Sequence, residues 1–265
     1  MLSRHPGKRA VERFWLLYTL VWGAIAGVVM VTGAVDRWGD AALIPLALVL
    51  AAGAVLGPIV TRPPSERGVP LHHTTTAKLA ASVVAFSFLL NYSQTPFFFD
   101  VLHMRYGFRT ELAIRGNPVA LYVLTIPYFA TYCALCLVAY RAARHALRWS
   151  PRVVQLAGAA AAPFAVAFLE TALNANPLTR HVFCYDDLGL MLGFGTFAYG
   201  TAFCLALPVW LYVDERPGVR VRMFAVLVAA AAAVHVDSLL LDVYRYHLAP
   251  RVTTVGVLDH SCLEP

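Results

Sequence analysis

The chain has 265 residues, of which 59% are hydrophobic and 14% charged, with a net charge of +6 and a mean hydropathy of +0.64. Soluble domains carry about 25% charged residues, so this composition excludes a soluble globular enzyme and points to an integral membrane protein. The positive charge lies in short connections between apolar runs and calls for no nucleic acid.

Seven apolar segments follow in chain order: Phe14–Gly33, Ala41–Val60, Ala77–Phe99, Asn117–Tyr140, Val153–Asn174, Leu188–Val213 and Met223–Tyr244. Each approaches the about 20 residues that a helix needs to cross hydrocarbon. None alternates apolar and polar residues as a barrel strand does. The expectation is an all-α, polytopic membrane bundle of seven transmembrane helices, with residues 1–265 forming one integral membrane domain. The first segment is too long for a signal-peptide core and has no small-residue cleavage site, so it reads as a mature helix. Fourteen basic residues fall on the N-terminal side of the bundle and seven on the other, which places the N-terminus in the cytoplasm and the C-terminus outside. Lys8 and Lys78 are the only lysines, and with the alanine runs this suggests a GC-rich genome. The membrane would be the inner membrane of a bacterium, or the endoplasmic reticulum of a eukaryote.

Glu170 is a carboxyl inside the otherwise apolar fifth segment. A charge at bilayer depth costs at least roughly 2.5–3.5 kcal/mol on insertion scales, so such a residue faces the bundle interior and serves either function or a helix-packing hydrogen bond. Removal from water favours a neutral carboxyl, which makes Glu170 a candidate proton donor. Asn174, four residues on, shares its face. Asn91, Tyr92 and Thr95 occupy the corresponding half of the third segment, and Asp186 and Asp187 open the sixth. His235, Ser238, Asp242 and Arg245 recur along one face of the seventh. Following the chain through seven crossings gathers these groups in the outer half, where a polar cavity roofed by loops is expected. Asp242 with Arg245 also reads as an interfacial ion pair, His235 as a hydrogen-bonded core residue, and Asp186 as a helix cap or loop residue.

Cys133 and Cys136 form a CxxC within an apolar helix, where two buried small residues are a simpler reading than a redox or metal pair. Cys184 and Cys262 both fall on the outer side and could form a disulfide. His72 and His73 are adjacent in a loop, and no HxxxH or HExxH spacing, phosphate loop or Gly-x-Ser-x-Gly elbow occurs. No metal is expected.

An ordered set of pieces then becomes recognisable. These are Glu12 through Trp22 (ERFWLLYTLVW), Ser87 through Phe108 (SFLLNYSQTPFFFDVLHMRYGF) and Phe168 through Thr171 (FLET). Asp187, Gly195, Tyr199, Pro208 and the Asp214-Glu215 pair follow, then LDVYR ending at Arg245, Pro250, and Ser261-Cys262-Leu263. Together they resemble the cycloeucalenol cycloisomerase (cyclopropyl sterol isomerase) family of integral membrane enzymes. His235 and Asp237 depart from the family pattern, standing where apolar residues are expected.

The resemblance implies an isomerase of sterol biosynthesis. It would open the 9β,19-cyclopropane of a cyclosterol such as cycloeucalenol to an 8,9-unsaturated sterol by proton addition and loss. The substrate would come from the lipid bilayer, with no cofactor and no redox partner. On this reading Glu170 donates the proton, and Asp187 is the stabilising anion or proton relay. Asn91 orients the sterol hydroxyl or a water, and Asp242 belongs to the substrate pocket as the next acid to test. Tyr92, Phe98, Tyr199 and Trp22 are candidate aromatic faces for the developing cation. Two alternatives use the same cavity: a non-catalytic sterol-binding or transfer protein, and a different sterol double-bond isomerase. A retinal photoreceptor is excluded, because the seventh segment has no lysine. A transporter would show internal repeats or paired broken helices, and neither is found.

Overall fold

A computed structural model describes residues 1–215 and 220–252, which are mostly helical. Helix α1 (Pro6–Val31) opens on a proline, whose missing N–H is harmless in a first turn. It begins well before Phe14, because Lys8 and Glu12 find buried partners and the helix need not end at its charges. The short α2 (Ala34–Arg37) leads to α3 (Asp40–Val60), and α4 spans Thr75–Asp100. Helix α5 (Val119–Ala146) and α6 (Arg152–Asn174) follow. A one-turn α7 (Leu188–Leu190) passes through a π-helical turn, Met191–Gly195, into α8 (Thr196–Tyr212). Helix α9 (Met223–Val243) likewise continues through a π-helical turn, Tyr244–Leu248, into α10 (Ala249–Val252).

Six of these helical stretches are long and apolar enough to cross a membrane: α1, α3, α5, α6, Leu188–Tyr212 and Met223–Arg251. Their outward faces carry exposed Leu20, Val49, Leu156, Leu173, Phe224 and Leu239, a surface suited to lipid. The remaining long helix, α4, has 26 residues but a more polar sequence. Sixteen of those residues are buried, against α1, α3, α5, α8 and α9. Its Ser87, Asn91, Gln94 and Thr95 therefore meet protein instead of hydrocarbon. Helix α5 is the other central element, touching α1, α3, α4, α6 and α8, while α9 packs on α4 and α8.

One end of the bundle is tied by buried charge. Lys8 Nζ reaches Glu215 at 2.7 Å and the Trp210 carbonyl at 2.6 Å. Arg141 forks between Glu12 and Glu215, with its shortest contact to each at 2.7 Å. Lys78 pairs with Asp214 at 2.8 Å. The Glu66 carboxylate accepts the Thr75 and Thr76 amides at the start of α4, satisfying donors that a helix N-terminus leaves free. Burial raises the carboxyls of Asp214 and Glu215, but their cationic partners and hydrogen bonds win and hold both below the usual range.

At the opposite end, strand β1 (Met104–Tyr106), between α4 and α5, pairs antiparallel with a strand between α6 and α7. In chain order a hairpin of β2 (Ala113–Ile114) and β3 (Asn117–Pro118) comes first, so that partner is β4 (Phe183–Tyr185). The register sets Tyr106 opposite Phe183 and Met104 opposite Tyr185. Asp40 fastens the neighbouring loop, accepting the Thr110 hydroxyl at 2.6 Å and the Glu111 amide at 2.7 Å.

Candidate active site

Glu170 sits near the end of α6 with its carboxyl on two cavities at once. The larger, about 940 Å³, runs between α1, α3 and α5 and is lined by residues such as Ala26, Met30, Leu46, Leu50, Leu121 and Leu124. The smaller, about 500 Å³, lies against α4 and is lined by Asn91, Gln94, Thr95, Phe98, Met104 and Tyr185. Tyr106, Thr125, Phe129, Glu170, Phe183 and Tyr199 line both cavities and form the waist between them.

The waist is aromatic and its hydroxyls converge on the carboxyl. The Asn174 amide donates to Glu170 Oε1 at 3.2 Å and accepts the Tyr128 hydroxyl at 3.2 Å, so the acid is held by a side chain that is itself held. The Tyr132 hydroxyl stands beside Glu170, buried and without a well-formed hydrogen bond among the described residues. Tyr199 packs edge-on against Phe98 at 5.3 Å and tilted against Phe203 at 4.7 Å. Tyr106 and Tyr185 come from the ribbon. Burial pushes both hydroxyls far above the ordinary tyrosine range, and the nearby Glu170 adds to it, so both remain neutral donors. Among the described residues no three His, Cys, Asp or Glu side chains gather as a metal site.

The expected site residues divide. Glu170, Asn91 and Tyr199 line the smaller cavity together. Asn91 is fully committed on its donor side, giving hydrogen bonds to the Ser87 carbonyl and the Thr125 hydroxyl at 2.7 Å each, and its oxygen accepts from Asn117 at 2.8 Å. Phe98 also lines this cavity. Asp187 does not share it. The Asp187 side chain caps α7, accepting the Leu190 amide at 2.8 Å, because the chain turns into the helix there. Asp186 pairs instead with Arg105 of the ribbon at 2.8 Å. Trp22 lies behind the wall, bonded to Thr131 at 3.2 Å and packed on Tyr128 at 4.3 Å. Tyr92 points outward, 53% exposed, under the Arg115 guanidinium.

The polar face read on the last helix is also turned away. Helix α9 packs through Val226, Ala230, Val234, Asp237 and Leu241, a helical stripe that leaves His235 and Asp242 exposed. Arg245 pairs with Asp100 of α4 at 2.9 Å, not with Asp242. Asp237 is buried in that stripe with neither carboxylate oxygen partnered among the described residues. Cys133 and Cys136 are buried free thiols. Cys184 is disulfide-bonded, and Cys262, the partner weighed for it, lies outside the described residues.

Tyr106, Tyr128, Tyr132, Tyr185, Phe129 and Phe183 were not singled out from the sequence as site residues. The only available signal was the density of aromatics in Tyr128–Tyr132 and Phe183–Tyr185, and aromatics at such spacing usually serve packing.

The chain is 27% identical to the cycloeucalenol cycloisomerase of Arabidopsis thaliana over 260 residues, which is 95% of this chain and 90% of that protein. No protein-family model and no solved structure matches the chain. The likeness to cycloeucalenol cycloisomerases thus runs through nearly the whole sequence, and it supports an isomerase embedded in a membrane.

Proposed function

We propose that this protein opens the 9β,19-cyclopropane of a cycloeucalenol-like sterol to give an 8,9-unsaturated sterol. The observation that carries this reading is a single carboxyl, Glu170, at an aromatic waist between two cavities.

A cyclopropane has no lone pair, so an acid must protonate carbon 19 directly. Glu170 enters the cycle protonated and delivers its proton to carbon 19, using the electron pair of the bond between carbons 9 and 19. Carbon 19 becomes a methyl group on carbon 10, and positive charge develops at carbon 9. Phe129, Phe183 and Tyr199 line the waist beside Glu170, and a cation over the face of a desolvated ring is stabilised by the ring quadrupole. The electron pair of the bond from carbon 8 to its β hydrogen then forms the 8,9 double bond. That hydrogen lies on the same face as the former bridge, so the Glu170 carboxylate can take it back. Protons and electrons balance, and the acid is regenerated. Asn174 holds the carboxyl in place, and Tyr132 supplies a hydroxyl that can bond the carboxylate once it forms.

The test is product analysis by mass spectrometry with purified protein and cycloeucalenol, cycloartenol or 24-methylenecycloartanol. Turnover in deuterated water should place one deuterium in the new methyl group. Glu170→Gln keeps size and bonding but cannot protonate carbon, so turnover should fall by about 10²–10⁴-fold while sterol binding persists. Near wild-type turnover of Glu170→Gln would remove Glu170 as the donor. Binding without conversion of all three sterols by the wild type would make the protein a sterol carrier instead.

A further inference from the structure

We infer that the smaller chamber is a hydroxyl subsite in which Gln94 recognises the 3-hydroxyl of the sterol, so that ring A lies against α4 and the hydrocarbon tail lies between α1, α3 and α5. The inference rests on the cyclosterol reading above and adds the direction in which the substrate lies.

Gln94 is 4% exposed, lines the smaller chamber, and its amide nitrogen has no hydrogen-bond partner among the described residues. A buried donor left without a partner is costly, and the cost is offset where a ligand supplies the acceptor. Asn91, one turn earlier on the same face, cannot play this part. Its two donors are spent on Ser87 and Thr125, and its oxygen receives Asn117. Asn91 therefore builds the wall, and of the two α4 amides Gln94 is the one left to address a ligand, while the Tyr132 hydroxyl stands beside Glu170. A primary amide both donates and accepts, as a sterol hydroxyl does, so the two can exchange hydrogen bonds in either sense.

The shapes of the two chambers agree with the asymmetry of the substrate. In a 9β,19-cyclosterol the carbon bearing the hydroxyl is across one six-membered ring from the carbon that carries the bridging methylene. On the other side lie two further rings and a branched side chain, all hydrocarbon. Glu170 must meet the bridge, so the shorter, hydroxyl-bearing arm needs a small polar space and the long arm a large apolar one. The smaller chamber offers Gln94, Thr95, Tyr106 and Tyr185. In the larger, the polar groups Glu170, Asn174, Thr125, Tyr128 and Tyr132 come from α5 and α6, and the opposite wall is formed by Val29, Leu43, Leu46, Ala47 and Leu50. The reverse orientation would bury the side chain among amide and phenol groups and leave the hydroxyl among leucines, which is unfavourable for both.

The test compares a 3-hydroxy cyclosterol with its 3-deoxy counterpart, by turnover and by equilibrium binding to protein in lipid nanodiscs. The wild type should prefer the hydroxyl by roughly tenfold, as one neutral hydrogen bond allows. Gln94→Leu and the less bulky change in shape, Gln94→Met, should lose that preference while the deuterium still enters carbon 19. A separate arm reads orientation: Leu46→Phe should weaken binding of sterols with an intact side chain and spare a side-chain-truncated cyclosterol. Retention of the hydroxyl preference in both folded Gln94 variants, or equal effects of Leu46→Phe on long and truncated sterols, would overturn the inference. Failure of the underlying enzyme reading looks different. No sterol would be converted, yet the binding comparison would still report whether Gln94 reads the hydroxyl.

Discussion

Asp214 shows how much a single residue does at the charged end of the bundle. Its backbone has a φ of 48°, a left-handed conformation that Asp and Asn tolerate better than most residues. Its carboxylate accepts Lys78 Nζ at 2.8 Å, the Thr75 hydroxyl at 2.8 Å and the Val221 amide at 3.0 Å, joining the chain after α8 to the start of α4. Asp214→Asn keeps the backbone preference and removes the charge, leaving Lys78 buried without its partner. Such a loss costs about 3–5 kcal/mol, and thermal unfolding should show a marked drop. The carboxyl is held below its unfolded value, so its stabilisation is fully present above about pH 3.9, the ordinary aspartate value. It disappears as pH falls through the depressed folded value. The wild-type melting temperature should therefore fall on acidification below about pH 4 more steeply than that of Asp214→Asn. Parallel curves would mean that Asp214 does not couple protonation to folding.

At the scale of elements, the β1–β4 ribbon is the part on which the site most depends. It carries Tyr106 and Phe183 to the waist and Tyr185 to the smaller cavity from two connections far apart in sequence. Gly107 follows β1 and donates to the Val182 carbonyl at 2.8 Å. A Cβ at Gly107 would run into the His181 carbonyl, which is backbone and cannot swing aside. Gly107→Ala should force the strands apart at an overpacking cost of about 1–3 kcal/mol and shift Tyr106 off the waist. The expected result is a modest fall in melting temperature with a disproportionate loss of turnover. Unchanged turnover would show that the ribbon only covers the cavity.

At the scale of the whole molecule, the network joins the first turns of α1 and α4 to the end of α5 and the chain just after α8 at one end. The ribbon and the Arg245–Asp100 pair mark the other end. With the excess of basic residues on the first end, the positive-inside rule predicts that this end is cytoplasmic, and the expectation of seven crossings makes α4 one of them. Single cysteines at Arg67 and Arg109 bracket α4 and should be labelled from opposite sides of the membrane. A reporter fused after Pro265 should read as non-cytoplasmic. Labelling of both cysteines from one side would remove α4 from the count.

The sequence by itself determined the apolar segments, their order and the presence of a carboxyl, Glu170, within the fifth of them. Those features follow from local chemistry: about twenty apolar residues make a helix in lipid, and a carboxyl among them must face protein. Glu170 was legible for that reason, Asn91 as one of the polar groups in the third segment, and Tyr199 through the family resemblance. What the sequence could not decide was the rotation of each helix. The polar face of α9 carries His235 and Asp242 outward, because the small residues Ala230 and Val234 give the closer packing surface and take the inside. Asp187 was a plausible acid until the chain turned and made it a cap. Tyr106 and Tyr185 meet Glu170 only because two distant loops pair as strands, and non-local pairing of such short segments leaves no periodic signal. Lys8 and Glu12 looked like the flank of a helix and are inside one, because their partners, Arg141 and Glu215, lie far along the chain. Which polar groups are spent on the protein and which are left for a ligand, as Asn91 and Gln94 differ, is set by contacts that only the folded bundle makes.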